Sequence, residues 1–330
     1  MIVYLILNKN KILWNFFVSH NKEIKLEGVI PATLLAFDKE FRINEKASRK
    51  HIKECALTDG ISAVTVNGHS SEIHACDFEE QKQILSFSLE EVGDFMPIIN
   101  GVYADGSIEA AKIAKMSDTF GASALLCFPP QSMAMGGHLR PEMALEHFKR
   151  IADATDLPLI CFNYPSAGNL TYPFDTLLKL FETVPTIKAI KDWSNDPMVH
   201  EKHIKTFQNL SNPVNVLTTH SSWLMSSLVM GAKGLLSGAG SVIASLQVEL
   251  FNAVKVKNLE IAQRINDQMF PLVQAFYSPP FLDMHNRMKE VLVLTGKMEE
   301  AIVRPPLMRL SSMEINLSLI HISEPTRHSI

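Results

Sequence analysis

The sequence is poor in cysteine and has none of the usual cysteine motifs. Its 330 residues include four cysteines, Cys55, Cys76, Cys127 and Cys161, and no two of them are spaced as C-x-x-C. This usage indicates neither a disulfide framework nor a zinc knuckle. We therefore expect a protein of the reducing cytoplasm.

The sequence also lacks an excess of basic residues. Lys and Arg number 31 against 35 for Asp and Glu, which gives a net charge of −4, and no basic run is present. Surfaces that follow a phosphate backbone need clustered positive charge. Nucleic acid is accordingly not expected as a partner.

No apolar run is long enough to cross a membrane. The run over residues 1–7 is followed by Asn8, Lys9, Asn10 and Lys11, well short of the roughly 18 residues that a span requires. A signal peptide would carry its positive charge first, whereas here the lysines follow the apolar run. We expect neither membrane association nor secretion, and residues 1–23 form an N-terminal extension of unknown role.

The rest of the chain has the composition of a folded α/β protein, with 46% hydrophobic and 20% charged residues. Short apolar runs alternate with amphipathic stretches, a pattern typical of parallel strands joined by helices. Eight strands are predicted, at residues 28–35, 62–67, 97–102, 124–128, 158–162, 186–191, 214–218 and 234–237.

Eight such units favour a closed (β/α)₈ TIM barrel over residues 24–256. An open doubly wound sheet has the same local pattern, but no G-x-G-x-x-G follows the first strand. Residues 257–310 carry two further helical patterns, at 257–276 and 281–296, and we interpret them as a C-terminal helical appendix. Residues 311–330 lose the alternation and are interpreted as a non-native or disordered tail.

Lys191 is the first candidate for chemistry. Alternation along the sixth strand puts Ile187, Ala189 and Lys191 on one face, with Lys191 at the carboxyl end, where barrel enzymes build their sites. A lysine surrounded by apolar side chains has a lowered pKa, and its neutral amine can form a Schiff base with a carbonyl. The alternative is that Lys191 extends to solvent or pairs with Asp192.

Polar loops follow other strands at the same end. After the second strand comes Gly68-His69-Ser70-Ser71-Glu72, suited to binding a carboxylate through a hydroxyl and backbone amides, or to capping a helix. We expect Ser70 and Ser71, and Asn163, Ser237 and Gly238 after strands five and eight, to bind substrate. The loop at 237–241 is also suited to a phosphate.

Taken in order, these segments resemble the dihydrodipicolinate synthase and N-acetylneuraminate lyase family of Schiff-base-forming barrels. The resemblance covers about residues 25–310. It rests on residues 27–32 with Phe37, 67–72, Gly101-Val102, His147-Phe148, Phe162-Asn163-Tyr164-Pro165, Ile190-Lys191 and 234–238. It implies that Lys191 forms the Schiff base and that Ser70 and the loop amides hold the substrate's 1-carboxylate.

The sequence departs from this family at its usual tyrosines. Residues 128–133 replace the Pro-Tyr-Tyr-Asn-like run, Phe162 stands where a tyrosine is usual, and His69 replaces the first loop threonine. Lysine-biosynthetic synthase activity is therefore not expected. Some group must still move protons, and His69, with an ordinary pKa near neutral, is the first candidate, followed by Tyr103 and Tyr164.

The sequence thus predicts a lyase, an aldolase or dehydratase, acting through a lysine imine on pyruvate or a sugar-derived 2-keto acid. It needs no cofactor or metal, and the resemblance implies a homotetramer. A phosphate-binding isomerase or epimerase and a non-catalytic 2-oxo-acid binding protein are the alternatives. Two polar clusters are interpreted as solvated helix surfaces. For His200 with His203 the alternative is a pair of metal ligands, and for residues 283–289 it is a segment that closes the pocket or forms an oligomer contact.

Overall fold

A computed structural model describes residues 24–315 of the chain. The N-terminal extension over residues 1–23 and residues 316–330 of the expected tail lie outside the described residues. Residues 312–315, which belong to the tail predicted to be non-native or disordered, form one helical turn.

Eight parallel strands form the centre of the fold, as the alternation of the sequence predicts. They are β1 Gly28–Pro31, β2 Val64–Val66, β3 Ile98–Val102, β4 Ala124–Cys127, β5 Leu159–Asn163, β6 Ile187–Asp192, β7 Asn215–Thr218 and β8 Gly234–Ser237. Each strand lies beside its sequence neighbour, and β1 also pairs with β8. Between β1 and β2 the sheet closes through the bridges Val29↔Ile61 and Ala32↔Thr65. The sheet is therefore a closed (β/α)₈ barrel.

One helix follows each strand and covers the outside of the barrel. These helices are α1 Glu45–Ala56, α2 Phe78–Val92, α3 Ser107–Phe120, α4 Pro141–Ala152, α5 Phe174–Thr183, α6 Pro197–Phe207, α7 Leu224–Met230 and α8 Gly240–Lys255. Local signals set their starts: Asp77 and Glu80 form a capping box for α2, and Asp196 caps α6 ahead of Pro197. Such side chains satisfy amide groups that the first helical turn leaves unpaired.

Two further helices follow the barrel, α9 Leu259–Phe276 and α10 Met284–Leu294, which confirms the expected appendix of C-terminal helices. Met269, Phe276, Met288 and Leu292 join a second apolar core with α7 and α8. The appendix is therefore packed on the barrel. The assignment of residues 283–289 to a solvated surface is wrong, because every residue from Met284 to Lys289 is buried.

The loop after β2 begins with a buried amide network. Asn67 adopts a left-handed conformation, with φ of 51°, which Asn tolerates better than most residues. Its amide nitrogen donates to the Asn100 side-chain oxygen and to the Gln81 carbonyl, at 2.8 Å each. These bonds fix the direction in which the chain leaves the strand.

The same loop ends in an ion pair that reaches across the chain. The Lys289 ammonium on α10 donates to Glu72 Oε1 at 2.5 Å and to the Ile302 carbonyl at 2.7 Å. Glu72 Oε2 accepts the Arg304 amide N–H at 2.8 Å. Both charged side chains are fully buried. Removal of one therefore leaves the other as a buried charge with neither a counter-ion nor water around it.

We expect Lys289→Met to lower the free energy of unfolding by about 3–5 kcal/mol, the usual effect of breaking a buried pair. The double variant Glu72→Gln with Lys289→Met should recover much of that loss, because no charge is left unpaired. Urea unfolding of the purified variants measures both. The matched control is Lys39→Met, which removes an exposed partner of Glu300 and should change stability little. A Lys289→Met protein as stable as the control would show that the buried Glu72–Lys289 ion pair does not stabilise the fold.

Candidate active site

Lys191 lies at the carboxyl end of β6 and points into the barrel. It is 3% exposed, and its ammonium nitrogen lies 4.1 Å from the centroid of the Phe162 ring. Burial lowers its pKa from 10.5 to about 7. A large share of the side chain is therefore a neutral amine near pH 7, the form that attacks carbonyl carbon.

The alternative partner of Lys191, Asp192, is engaged elsewhere. Asp192 points away from the barrel interior, and its Oδ2 accepts hydrogen bonds from His200 Nδ1 at 2.7 Å and His203 Nδ1 at 2.8 Å. Both histidines are buried, so their assignment to a solvated helix surface is wrong. Hydrogen bonds from the two imidazoles hold the pKa of the Asp192 carboxyl well below its ordinary value, against the effect of burial.

Lys191 opens into a small cavity of about 20 Å³ at the carboxyl ends of the strands, enough for about one water molecule. The cavity is lined by His69, Ser70, Phe162, Lys191, Trp193, Thr219, Gly238, Tyr277, Met284 and His285. A larger cleft of about 570 Å³ lies beside Gly28 and Lys233. That cleft is at the amino-terminal end of the barrel, the end where residues serve stability rather than chemistry.

The loop after β2 contributes one wall of the cavity. It forms a short 3₁₀ turn over His69–Ser71, in which the Ser70 hydroxyl donates to the Ala32 carbonyl at 2.8 Å and the Ser71 hydroxyl to the Thr33 carbonyl at 2.8 Å. The amide N–H groups of His69 and Ser70 have no acceptor in the described part of the chain. Free amides at the start of a turn form a concavity suited to an anion.

His69 is half-buried at the centre of a cluster of rings. Its ring centroid lies 4.9 Å from that of His285, 6.3 Å from Tyr164 and 6.3 Å from Trp193. Burial, and then the positive charge of Lys191, lower its pKa to about 3. The expectation of a near-neutral pKa is thus corrected: at neutral pH the ring is uncharged, with one nitrogen as donor and the other as acceptor.

The two tyrosines among the predicted site residues lie outside the cavity lining. Tyr164 packs on Phe162 with centroids 4.4 Å apart, and burial raises the pKa of its phenol. Tyr103 packs edge-on against Phe128 at 5.5 Å, and burial raises its pKa as well. Asn163 also faces away, because its side-chain oxygen accepts the Tyr172 amide N–H at 2.9 Å.

The loop after β8 closes the opposite wall. The Ser237 and Ser221 hydroxyl oxygens lie 2.8 Å apart, and the Tyr277 hydroxyl donates to Ser221 at 3.2 Å. Gly238 borders the cavity directly, since a Cβ at this position would lie 3.3 Å from His285 Nε2 and 3.4 Å from Ser70 Cβ. A larger residue would narrow the space available to a ligand.

Apart from Phe162, which the resemblance includes, five lining residues were not identified from the sequence: Trp193, Thr219, Tyr277, Met284 and His285. Trp193 and Thr219 follow β6 and β7 directly, so the position rule for barrel enzymes could have found them. Tyr277 and His285 come from the appendix and depend on how it packs on the barrel. The only sequence signal for His285 was the polar run that contains it.

Comparison with known proteins places the chain in a family. Residues 25–320 match the model of the dihydrodipicolinate synthetase family. The 4-hydroxy-tetrahydrodipicolinate synthase of Methanopyrus kandleri is 27% identical over 260 residues, which are 77% of this chain and 82% of the relative. That of Thermodesulfovibrio yellowstonii is 28% identical over 276 residues, or 83% and 89%.

Solved structures share the fold. A prophage protein of the dihydrodipicolinic acid synthase family from E. coli K12, solved in complex with pyruvate, superimposes with a TM-score of 0.84 at 19% identity, over 91% of this chain and 99% of that one. Dihydrodipicolinate synthase from Aquifex aeolicus gives a TM-score of 0.81 at 22% identity, over 91% and 98%.

None of the helices in residues 24–315 combines the length and apolarity that a bilayer crossing requires.

The resemblance seen in the sequence is confirmed by the match over residues 25–320. The chain therefore belongs to the dihydrodipicolinate synthetase family, a family of aldolase-like lyases.

Proposed function

We propose that the protein is a Schiff-base-forming lyase of 2-oxo acids with Lys191 as its nucleophile. The observation that carries the proposal is a desolvated amine, with a pKa of about 7, facing a cavity at the carboxyl ends of the strands. The amine attacks C2 of the substrate, and loss of water gives an imine. The protonated imine then accepts the electron pair of a breaking C3–C4 bond, or of a C3–H bond in a dehydration.

The substrate's 1-carboxylate is assigned to the loop after β2. The amides of His69 and Ser70 are free to donate, and the Ser70 hydroxyl borders the cavity beside Lys191. In the unliganded arrangement that hydroxyl donates to the Ala32 carbonyl, so it would turn toward a bound carboxylate. Ser71 remains a supporting residue, because its hydroxyl is bonded to Thr33.

The lining also restricts the rest of the substrate. Lys191 is the only lysine, arginine or carboxylate side chain among the ten lining residues, whereas Ser70, Thr219 and Tyr277 offer hydroxyl groups. A second charged group on the substrate would be desolvated without a partner. We therefore assign pyruvate, or an uncharged hydroxylated extension of it such as a sugar-derived 2-keto acid. The lining side chains must move apart to admit either substrate, because the cavity of about 20 Å³ holds about one water molecule.

Proton transfer is assigned to His69 in the first place. Its neutral ring can accept a proton, whereas Tyr103 and Tyr164 are phenols whose pKa is raised by burial and which therefore stay protonated. Neither Phe162 nor residues 128–133 supply the phenol that is usual in the family. This difference separates the proposed reaction from that of the curated synthases.

Two further predictions accompany the proposal: a homotetramer and a cytoplasmic location. Met135 and Leu139, in the segment after β4, are 95% and 74% exposed. A patch of exposed apolar side chains is typical of a subunit contact, and these two residues lie only four positions apart in the chain. Light scattering of the purified chain measures the assembly state.

The first test of the chemistry is borohydride reduction in the presence of pyruvate, followed by peptide mass mapping. We expect a reduced adduct on Lys191 that is absent from Lys191→Ala. The matched control is Lys188→Ala, which removes an exposed lysine of the same strand and should leave the adduct in place. An intact parent that gives no adduct with any 2-oxo acid, or an adduct on another lysine, would refute the proposal.

The pH dependence of trapping provides a second test. The reactive amine is neutral above its pKa, so the rate should rise with pH through about 7 and level off by about pH 8, instead of rising toward 10.5 as for an ordinary lysine. Initial rates with cyanoborohydride and saturating pyruvate measure this. A rate that still climbs tenfold per pH unit above about pH 9 would show an ammonium with an ordinary pKa.

A further inference from the structure

His285 is a buried histidine without a hydrogen-bonding role in the fold. It is 8% exposed and lies on α10, outside the barrel, yet it lines the Lys191 cavity. The other five buried histidines each have a hydrogen-bonding partner: His51 with Leu34 N, His147 with Ser107, His200 and His203 with Asp192, and His220 with Asn195 N. Within residues 24–315 neither ring nitrogen of His285 has one.

The ring nitrogens of His285 are not sealed from water and have no protein partner in the described part of the chain, and the residue lines the cavity, so they are available to a ligand or a reaction. The ring of His69, which faces the same cavity, also lacks a hydrogen-bonding partner among the described residues. The two rings are edge to face, with centroids 4.9 Å apart and planes at 87°. The cavity thus brings two free imidazoles together beside the amine.

Both rings are uncharged at neutral pH. Burial is the main cause of the lowered pKa of His285, and the positive charge of the Lys191 ammonium adds to it. Each neutral ring carries one N–H donor and one acceptor nitrogen. Such a pair can accept a proton at one end and release a proton at the other without leaving a fixed charge in the cavity.

We propose that His285 and His69 form a two-imidazole relay between the C4 hydroxyl and C3 of the substrate, which makes His285 a second catalytic residue. This inference rests on the proposed function. In aldol cleavage His69 takes the hydroxyl proton as the C3–C4 bond breaks; the electron pair of that bond passes into the enamine, and the aldehyde leaves. No hydrogen bond joins the two described rings, so a bridging water molecule takes the other N–H proton of His69 and gives a proton to His285, which then protonates C3. Water hydrolyses the resulting imine and frees pyruvate and Lys191.

The tyrosine that lines the cavity is a weaker candidate. Tyr277 lines the cavity, but its hydroxyl already donates to Ser221, and burial raises its pKa. A phenol held in its protonated form is a poor proton acceptor at neutral pH. The imidazole pair has free acceptor nitrogens instead.

Pyruvate alone tests the relay, because reversible protonation at C3 of the enamine exchanges the methyl hydrogens of pyruvate with solvent. We expect His285→Gln and His285→Phe to slow deuterium incorporation from D₂O, followed by proton NMR, by about 10²-fold or more. His69→Gln should slow it comparably. Borohydride trapping at Lys191 should stay within a few-fold of the parent in all three variants, because imine formation needs only the amine.

The matched control is His74→Gln, an exposed histidine whose ring lies 6.4 Å from His69 but outside the cavity lining; its exchange rate should equal that of the parent. Added imidazole should restore exchange to His285→Ala, a result that a packing role would not produce. Exchange at the parental rate in His285→Phe, with trapping intact, overturns the relay and leaves the Lys191 proposal standing. No trapping in the parent overturns both.

Discussion

Closure of the barrel is the constraint on which the rest of the molecule depends. The β1–β2 edge is joined by only two isolated bridges, supported by the bond from Thr33 N to the Thr65 carbonyl. Without this β1–β2 junction the barrel interior would be open to water, and the Lys191 ammonium would keep its hydration. With it, the amine is surrounded by strand side chains and by the face of Phe162, and its pKa falls by burial alone.

The site is made of two parts of the chain with different tasks. The barrel supplies the Lys191 amine, the turn with the free amides, and Gly238, where a larger side chain would narrow the cavity. The appendix supplies Tyr277, Met284 and His285, which cover the amine from the solvent side. The Glu72–Lys289 ion pair joins these parts, since Glu72 follows the turn with the free amides and Lys289 lies one helical turn after His285.

Most of the barrel and the inward direction of Lys191 could be predicted from the sequence, because both rest on short-range patterns. Alternation along β6 was enough to direct Lys191 inward, and hydrophobic runs were enough to locate all eight strands. The misassigned residues depend on long-range packing. His203 looked solvated beside charged neighbours, but it is held by the Asp192 carboxylate at the end of a strand. His285 became a site residue only through the position of α10 against the β2 loop.

The separation of Glu72 and Lys289 along the chain has a consequence for how the protein is made. Ribosomes deliver the amino-terminal part first, so the turn that carries His69 and Ser70 is synthesised, and available for folding, long before its counter-ion exists. The half-barrel that emerges early must keep the Glu72 carboxylate hydrated. The turn reaches its final, water-excluded form only after residues 289 to 304 have left the exit tunnel. The cavity around Lys191 is therefore completed among the last steps of folding of the nascent chain.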